Sequence, residues 1–430
     1  MGERSDEVSY LQQLVKRVNS ITSINLADKA TLATLAKTGG VAAATVFALN
    51  LIYSAAGSGA KSADGVLPPH PGTAEARKLC HNPAIQPHEF ENRFIATADR
   101  LAGKSFDFII VGAGSAGCVL ARRLSMDPSV TVLLLECGGE AQNAAAIRNP
   151  LRMLELWRSE VDWHFESTPQ PQMDGRVIDL ERGKTLGGSS CLNYNMWVRS
   201  APEDFDRWAN ECGCGPEWSY RNVIDNFRSL ERISKSGASI SGAASKAEID
   251  FNVRGDTGDM RVSTLFPPLK EVDAFIEACA LNGIKKTEDY NGASQFGAGY
   301  TQMSVDKGTR RRMDAFTCFV EPVLRERRNL TVASEGMCLK VLFTEGRRAE
   351  GVKVQLPTGQ VVDTFCKKEV ILSAGAIGSP QLLMLSGVGD ATELGKHGIP
   401  LVANVPAVGQ HLQVPFCSQR LLFFCAVMEC

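Results

Sequence analysis

The sequence predicts an α/β fold: a mainly parallel sheet that carries a β-meander. Three observations point there. The stretch FDFIIVGAGSAGCVLARRLS, residues 106–125, reads as a buried strand, a glycine turn and a helix. VTVLLLECGGE, residues 130–140, is a second apolar strand, and it ends in an acid, Glu136. Residues 330–372 alternate short apolar runs with turn signals at Glu345-Gly346 and Thr358-Gly359, the pattern of a meander followed by a buried strand.

Composition narrows the function classes. Of 430 residues, 44% are hydrophobic and 22% charged, the balance of a globular chain with a sizeable core. A formal net charge of −2 gives no reason to expect a nucleic-acid partner, and 7% aromatics supply no base-stacking surface. The 13 cysteines form no C-x-x-C and no Cys/His zinc spacing; their odd number argues against a disulfide framework. Cys118 and Cys137 lie in apolar runs and read as small core residues.

Residues 1–104 read as a leader. Within it, residues 38–60 carry no charge and are long enough to cross a bilayer, and their densest part, 41–53, has the length of a signal-peptide apolar region. The expectation is a membrane anchor or uncleaved signal on the membrane or secretory route, with a cleaved signal second and a soluble or mitochondrial protein as the alternative. Residues 57–75, rich in Gly, Ser and Pro, read as a linker.

The glycine turn explains itself chemically. Gly112 permits the tight turn, Gly114 lets the backbone approach a pyrophosphate, and Gly117 lets helix and strand pack closely. The helix that follows points its first amides and its dipole at the phosphates. Glu136 lies about 20 residues beyond the turn, where a carboxylate accepts ribose hydroxyls. This unit leaves NAD and FAD both open. Its acid disfavours NADP, since it would repel a 2′-phosphate.

A second segment, RGKTLGGSSCLNYNMWVR at 182–199, is a run of glycines and hydroxyls beside Lys184. Such a run can wrap an anionic group through backbone N–H donors. At this point the chain resembles the glucose–methanol–choline oxidoreductases. This segment is similar to their first signature, and GAIGSPQLLMLSGVG at 375–389 to their second. The shorter stretches DFDRWA, PEWSY, GTRRRMDAF and RRNLTV occur in the family's order, and the likeness runs from about Phe106 to Gln413.

The resemblance implies a Rossmann-like FAD-binding domain, of residues 105–200 and 327–413, with an incomplete α+β substrate domain at 201–326. It implies alcohol oxidation by hydride transfer to FAD, with a small alcohol, choline or sugar as substrate. Gly112, Gly114, Ser115 and Gly117 would hold the pyrophosphate, and Glu136 the adenosine ribose. Gly188, Ser189, Asn193 and Met196 would lie along the flavin, and the backbone of Cys338 would meet the adenine. Some members attach FAD through a histidine; Leu192 occupies that slot here, so the flavin is expected to be non-covalent. The family commonly places Ser or Thr where this chain has Asp314.

Four local expectations complete the reading. Residues 203–231 are helical, with Trp208 and Trp218 as core packing. Residues 233–258 form a polar loop or lid, and 271–284 a helix ended by Gly283. The three arginines 310–312 sit on a solvated turn. Ser379 caps a helix with Pro380 at its first position.

The family's catalytic base is a histidine near the C-terminus. None of the histidines here, at 70, 81, 88, 164, 397 and 411, matches that position, so no catalytic residue is assigned. After Gln413 the likeness stops, and three cysteines fall within residues 414–430. The chain as written is therefore expected to bind flavin without turnover, as a truncated, non-catalytic isoform or a fragment of a longer enzyme.

Overall fold

The computed structural model describes residues 93–233, 249–263 and 270–412, all within one compact unit, Leu79–Phe416. The uncharged segment 38–60, the linker and the tail 414–430 lie outside the described residues. No helix among the described residues is long and apolar enough to cross a membrane.

The core is a six-stranded sheet. We label its strands β1 (Ser105–Val111), β2 (Val132–Leu135), β3 (Leu330–Ala333), β4 (Met337–Phe343), β5 (Ala349–Gln355) and β6 (Val361–Leu372), in the order β3-β2-β1-β6-β5-β4. The pairs β3–β2, β2–β1 and β1–β6 are parallel; β6–β5 and β5–β4 are antiparallel. β6 serves both parts: Val361–Phe365 pairs with the meander strand β5, and Phe365–Leu372 runs beside β1.

Side-chain alternation explains the layers. Ile109, Val111, Leu133 and Leu135 point to one face and pack on Val341, Val352, Val354 and Val362 of the meander. Ile110, Val132 and Leu134 point to the other. They pack on helix α1 (Ser115–Leu124), through Cys118 and Ala121, and on the segment Phe316–Val323. Both faces are covered, so these strands read as continuous apolar runs rather than alternating ones. Burial of each such side chain stabilises the fold by roughly 1.5–3 kcal/mol.

The structure corrects three local expectations. Trp208 and Trp218 are not core: they are 37% and 45% exposed, edge-to-face at 6.0 Å, on helix α2 (Pro202–Asn210) and the short turn before α3 (Tyr220–Leu230). Phe205 alone of that aromatic group goes inside, because one helix face is all that α2 presents to the core. Of the loop expected at 233–258, residues 234–248 lie outside the described residues; 249–258 run through turns, and Gly255 and Gly258 pack directly on the backbone of residues 228–231. The end of β6 is half-exposed, since beyond Phe365 it pairs only with β1 among the described residues. Finally, helix α5 (Gly375–Leu385) starts as soon as β6 ends, so Ser379 is no cap and Pro380 lies inside the helix. The helix Lys270–Leu281, α4 here, ends at Gly283 with φ +82° as expected.

Beyond the sheet, a buried ionic network organises the second region. Glu231 is fully buried and accepts from Arg254 Nε at 2.8 Å, Trp197 Nε1 at 2.9 Å and the Gly255 amide at 2.8 Å, with Arg199 also bonded to it. Arg254 continues to Asp289 and to Gln302 Oε1 at 2.9 Å. Two cations and two carboxylates close the network with no net charge, as burial requires.

We expect E231Q or R254M to destabilise the chain by about 3–5 kcal/mol, because each leaves a buried charge uncompensated. Urea unfolding checks this; a midpoint within error of the wild type would contradict it.

Candidate functional site

Three chain segments meet at the carboxyl end of β1. The first is the turn 112–117. Gly112 has φ +101°, and a Cβ there would sit 2.4 Å from Ser373 O and 2.9 Å from the Ala374 Cα. The strand–helix turn at 373–375 therefore passes directly against the first glycine turn. Gly117 is equally constrained, since its Cβ would lie 1.9 Å from Gly112 O.

The first signature segment, residues 182–199, completes the cleft. The Gly187 amide donates to Ala113 O at 2.7 Å, and a Cβ on Gly188 would sit 2.6 Å from the Gly114 Cα. Two glycine segments some 70 residues apart in the chain thus touch backbone to backbone. Residues 184–186 run beside the turn after β2: Thr185 Oγ1 and the Leu186 amide both donate to Gly139 O, at 2.8 Å and 3.1 Å. Ser115 and Ala116 open α1 exposed, and the first turn of α1 holds no acid, so its leading amides are free to meet an anion.

Glu136 is where the sequence places an acid, and the structure gives it a further task. Oε2 accepts the Ala113 amide and Oε1 the Gly138 amide, both at 2.9 Å. Burial pushes this carboxyl up to about 7, against the Gly138, Ala113 and Cys137 amides and the Cys137 thiol, which favour its charge. The Gly336 amide donates to Glu136 O at 2.9 Å, which brings Cys338, two residues on, to the same end of the site. Burial pushes the Cys338 thiol up to about 12, so only its backbone is suited to a ligand.

The other predicted residues fall on the second segment. Ser189 Oγ accepts the Gly183 amide at 3.1 Å and closes its own loop. Asn193 Oδ1 accepts the Asn195 amide at 3.0 Å. Met196 pairs with Met303 where the chain leaves the loop. Leu192 is buried among Ala141, Ile147 and Leu156.

Sequence reasoning missed two residues. Of the three arginines read as solvated, Arg310 and Arg311 are exposed, but Arg312 is buried against the loop 190–193. Three like charges in a row carry no register, so nothing local marked the third. Asp314 is buried too; its Oδ1 accepts the Thr317 amide at 3.0 Å, and a Cβ on Gly187 would lie 2.9 Å from it. It caps the turn as a Ser or Thr would, and burial raises its pKa.

Two of the described histidines have partners of their own. His164 Nε2 is 2.7 Å from Ser159 O, and His397 Nε2 is 3.4 Å from Glu393 Oε1. A separate hollow of about 320 Å³ opens beside β3, lined by Phe94, Arg100, Leu324, Leu330, Thr331 and Val332. Its one cation, Arg100, already donates to Ile95 O and Val332 O at 3.0 Å and 2.6 Å, so the glycine cleft is the better candidate. Among the described residues no cluster of His, Cys, Asp and Glu could hold a metal ion.

Comparison with known proteins agrees with this geometry. The family model for GMC oxidoreductases matches residues 106–416. Human mitochondrial choline dehydrogenase is 39% identical over 328 residues, covering 75% of this chain and 52% of that protein. An alcohol dehydrogenase (acceptor) of Pseudomonas putida is 41% identical over 312 residues, 72% of this chain and 53% of that protein. Among solved structures, pyridoxine 4-oxidase from Mesorbium loti superposes with a TM-score of 0.62 at 30% identity, covering 70% of this chain and 55% of that one. The chain spans about half the length of the curated relatives it matches.

The Glu136 shift has a defined sign. The folded chain holds this proton up to about pH 7, whereas the unfolded chain releases it near the ordinary 4.5. Its contribution to stability therefore falls as pH rises between those values and is flat outside them. We expect E136Q to remove a stability difference on the order of 3 kcal/mol between about pH 4 and about pH 8. Urea midpoints across that range check it; equal slopes for E136Q and wild type would contradict it.

Proposed function

This chain belongs to the GMC oxidoreductases, and from that premise we propose that it is the cofactor-holding part of an enzyme that oxidises the CH–OH group of an alcohol, choline or a sugar. The family's cofactor is FAD. When bound, FAD supplies the hydride acceptor.

The observation that carries this reading is the Gly114–Gly188 backbone approach. It leaves a cradle lined by amides from two segments, which suits an extended dinucleotide. In this reading Gly112, Gly114, Ser115 and Gly117 hold the pyrophosphate at the start of α1. Glu136 accepts the ribose hydroxyls. The backbone at Cys338 meets the adenine. Gly188, Ser189, Asn193 and Met196 line the flavin side, and Ala374, Gly375 and Gly378 supply a further close-packed backbone. Leu192 offers no atom for a covalent link, so the flavin is held by these contacts alone. Residues 105–200 and 327–413 form the cofactor domain, and 201–326 belong to the substrate region.

A second reading, a flavin-binding protein without turnover, is favoured by the engagement of His164 with Ser159 O and of His397 with Glu393. A general base must reach the hydroxyl proton it removes.

We expect purified apoprotein to bind FAD with one-to-one stoichiometry, and acid precipitation to leave all flavin colour in the supernatant. Colour in the pellet would contradict the non-covalent assignment. G188A, whose new Cβ meets the Gly114 Cα, should weaken FAD binding at least about tenfold; unchanged binding would sink the cradle. Anaerobic addition of choline or a primary alcohol decides between the readings: bleaching of the flavin band supports turnover, and a steady band supports the second.

A further inference from the structure

Arg312 plays no part in the reading above, yet its surroundings are unusual. Its side chain is buried and bonds to no carboxylate among the described residues. Nε donates to Ile147 O at 3.0 Å. Nη1 faces three acceptors: Ser190 O at 3.1 Å, Asn193 O at 2.9 Å and Asn193 Oδ1 at 2.9 Å. Nη2 is buried with no partner among the described residues. The Arg312 amide also donates, to Arg148 O at 3.0 Å, so backbone and side chain both tie this position to the helical turn Ala145–Arg148.

The same short segment grips the loop a second time. Ser190 Oγ donates to Gly187 O at 2.6 Å and accepts the Ala315 amide at 2.8 Å. Residues 312–315 thus hold the loop at Ser190 and Asn193 through the guanidinium, and at Gly187 through the Ser190 hydroxyl. Gly187 in turn donates to Ala113 O, so the clamp ends on the first glycine turn.

The charge needs an explanation of its own. A buried guanidinium met only by carbonyl and amide oxygens costs several kcal/mol in desolvation, which an apolar side chain of like volume avoids. Desolvation brings the Arg312 pKa down to about 10, so the group stays cationic at neutral pH. Asp314, two residues on, is buried and acts on this charge without a hydrogen bond to it; burial raises its pKa, and the Arg312 charge opposes that rise. An anionic cofactor beside the loop would use a positive charge that makes no ion pair among the described residues.

Resting on the FAD reading, we propose that Arg312 is a positioning residue for the cofactor: it sets the loop 187–193 against the first glycine turn and supplies the buried positive charge of the cleft. Lysine would keep the charge, but a single ammonium cannot span Ile147 O and the Asn193 acceptors as the planar fork does.

The test measures FAD affinity of the apoprotein and the flavin midpoint potential for wild type, R311A, R312K and R312M. R311A alters an exposed neighbour and should match wild type in both. R312M should weaken FAD binding at least about tenfold and move the potential to more negative values, because the reduced, more anionic flavin loses a stabilising charge. R312K should recover the potential while affinity stays reduced. Wild-type affinity and potential in R312M overturn the proposal, and so does wild-type affinity in R312K. If both Arg312 variants fail to fold while R311A folds, the residue belongs to the fold alone and the proposal is likewise overturned. A wild-type chain that binds no FAD is a different failure: it removes the FAD reading itself.

Discussion

The backbone contact between Gly114 and Gly188 is the constraint on which the rest of the site depends. It joins the turn after β1 to a loop from the far side of residue 180, and it closes only if position 188 carries no side chain, since a Cβ there would sit 2.6 Å from the Gly114 Cα. The Gly187–Ala113 hydrogen bond then fixes the register of the two segments. Everything placed along the cleft inherits its position from this junction: the leading amides of α1, the Glu136 carboxylate and the loop as far as Asn193.

Charge beneath the junction is arranged with equal economy. Glu136 stiffens the first turn by accepting the Ala113 and Gly138 amides, at the cost of burying a carboxyl. Arg312 stiffens the second by donating to Ser190 and Asn193, at the cost of burying a guanidinium. Asp314 caps the adjoining turn between them. The second region shows the opposite strategy, since Glu231, Arg199, Arg254 and Asp289 neutralise one another. An ionic group that is balanced internally points to architecture, and one beside a cleft that makes no ion pair among the described residues points to a ligand.

Much of this was legible in the residues. The parallel strands announced themselves as apolar runs, the meander by its turns, α4 by its spacing and the cleft by its glycines. Local periodicity is what those signals report, and it failed where burial depends on remote partners. Trp208 and Trp218 are large and apolar enough to suggest core, but α2 has only one face to bury and Phe205 takes it. The Ser379-Pro380 pair has the composition of a helix start, yet the turn at Ser373–Gly375 begins the helix earlier, where it packs on Gly112. Arg312 differs from Arg310 and Arg311 only in which backbone carbonyls it meets, and those belong to residues more than 100 positions away.

The sequence by itself determined the α/β class, the family resemblance, the glycine positions and the acid at 136, because each is a property of residue type and short-range spacing. Only the tertiary structure decided that the two glycine segments touch, that Glu136 holds the turn it follows, and that one arginine of three is buried. Those facts arise from contacts between segments far apart in the chain, where sterics and desolvation act on a geometry that no local pattern encodes.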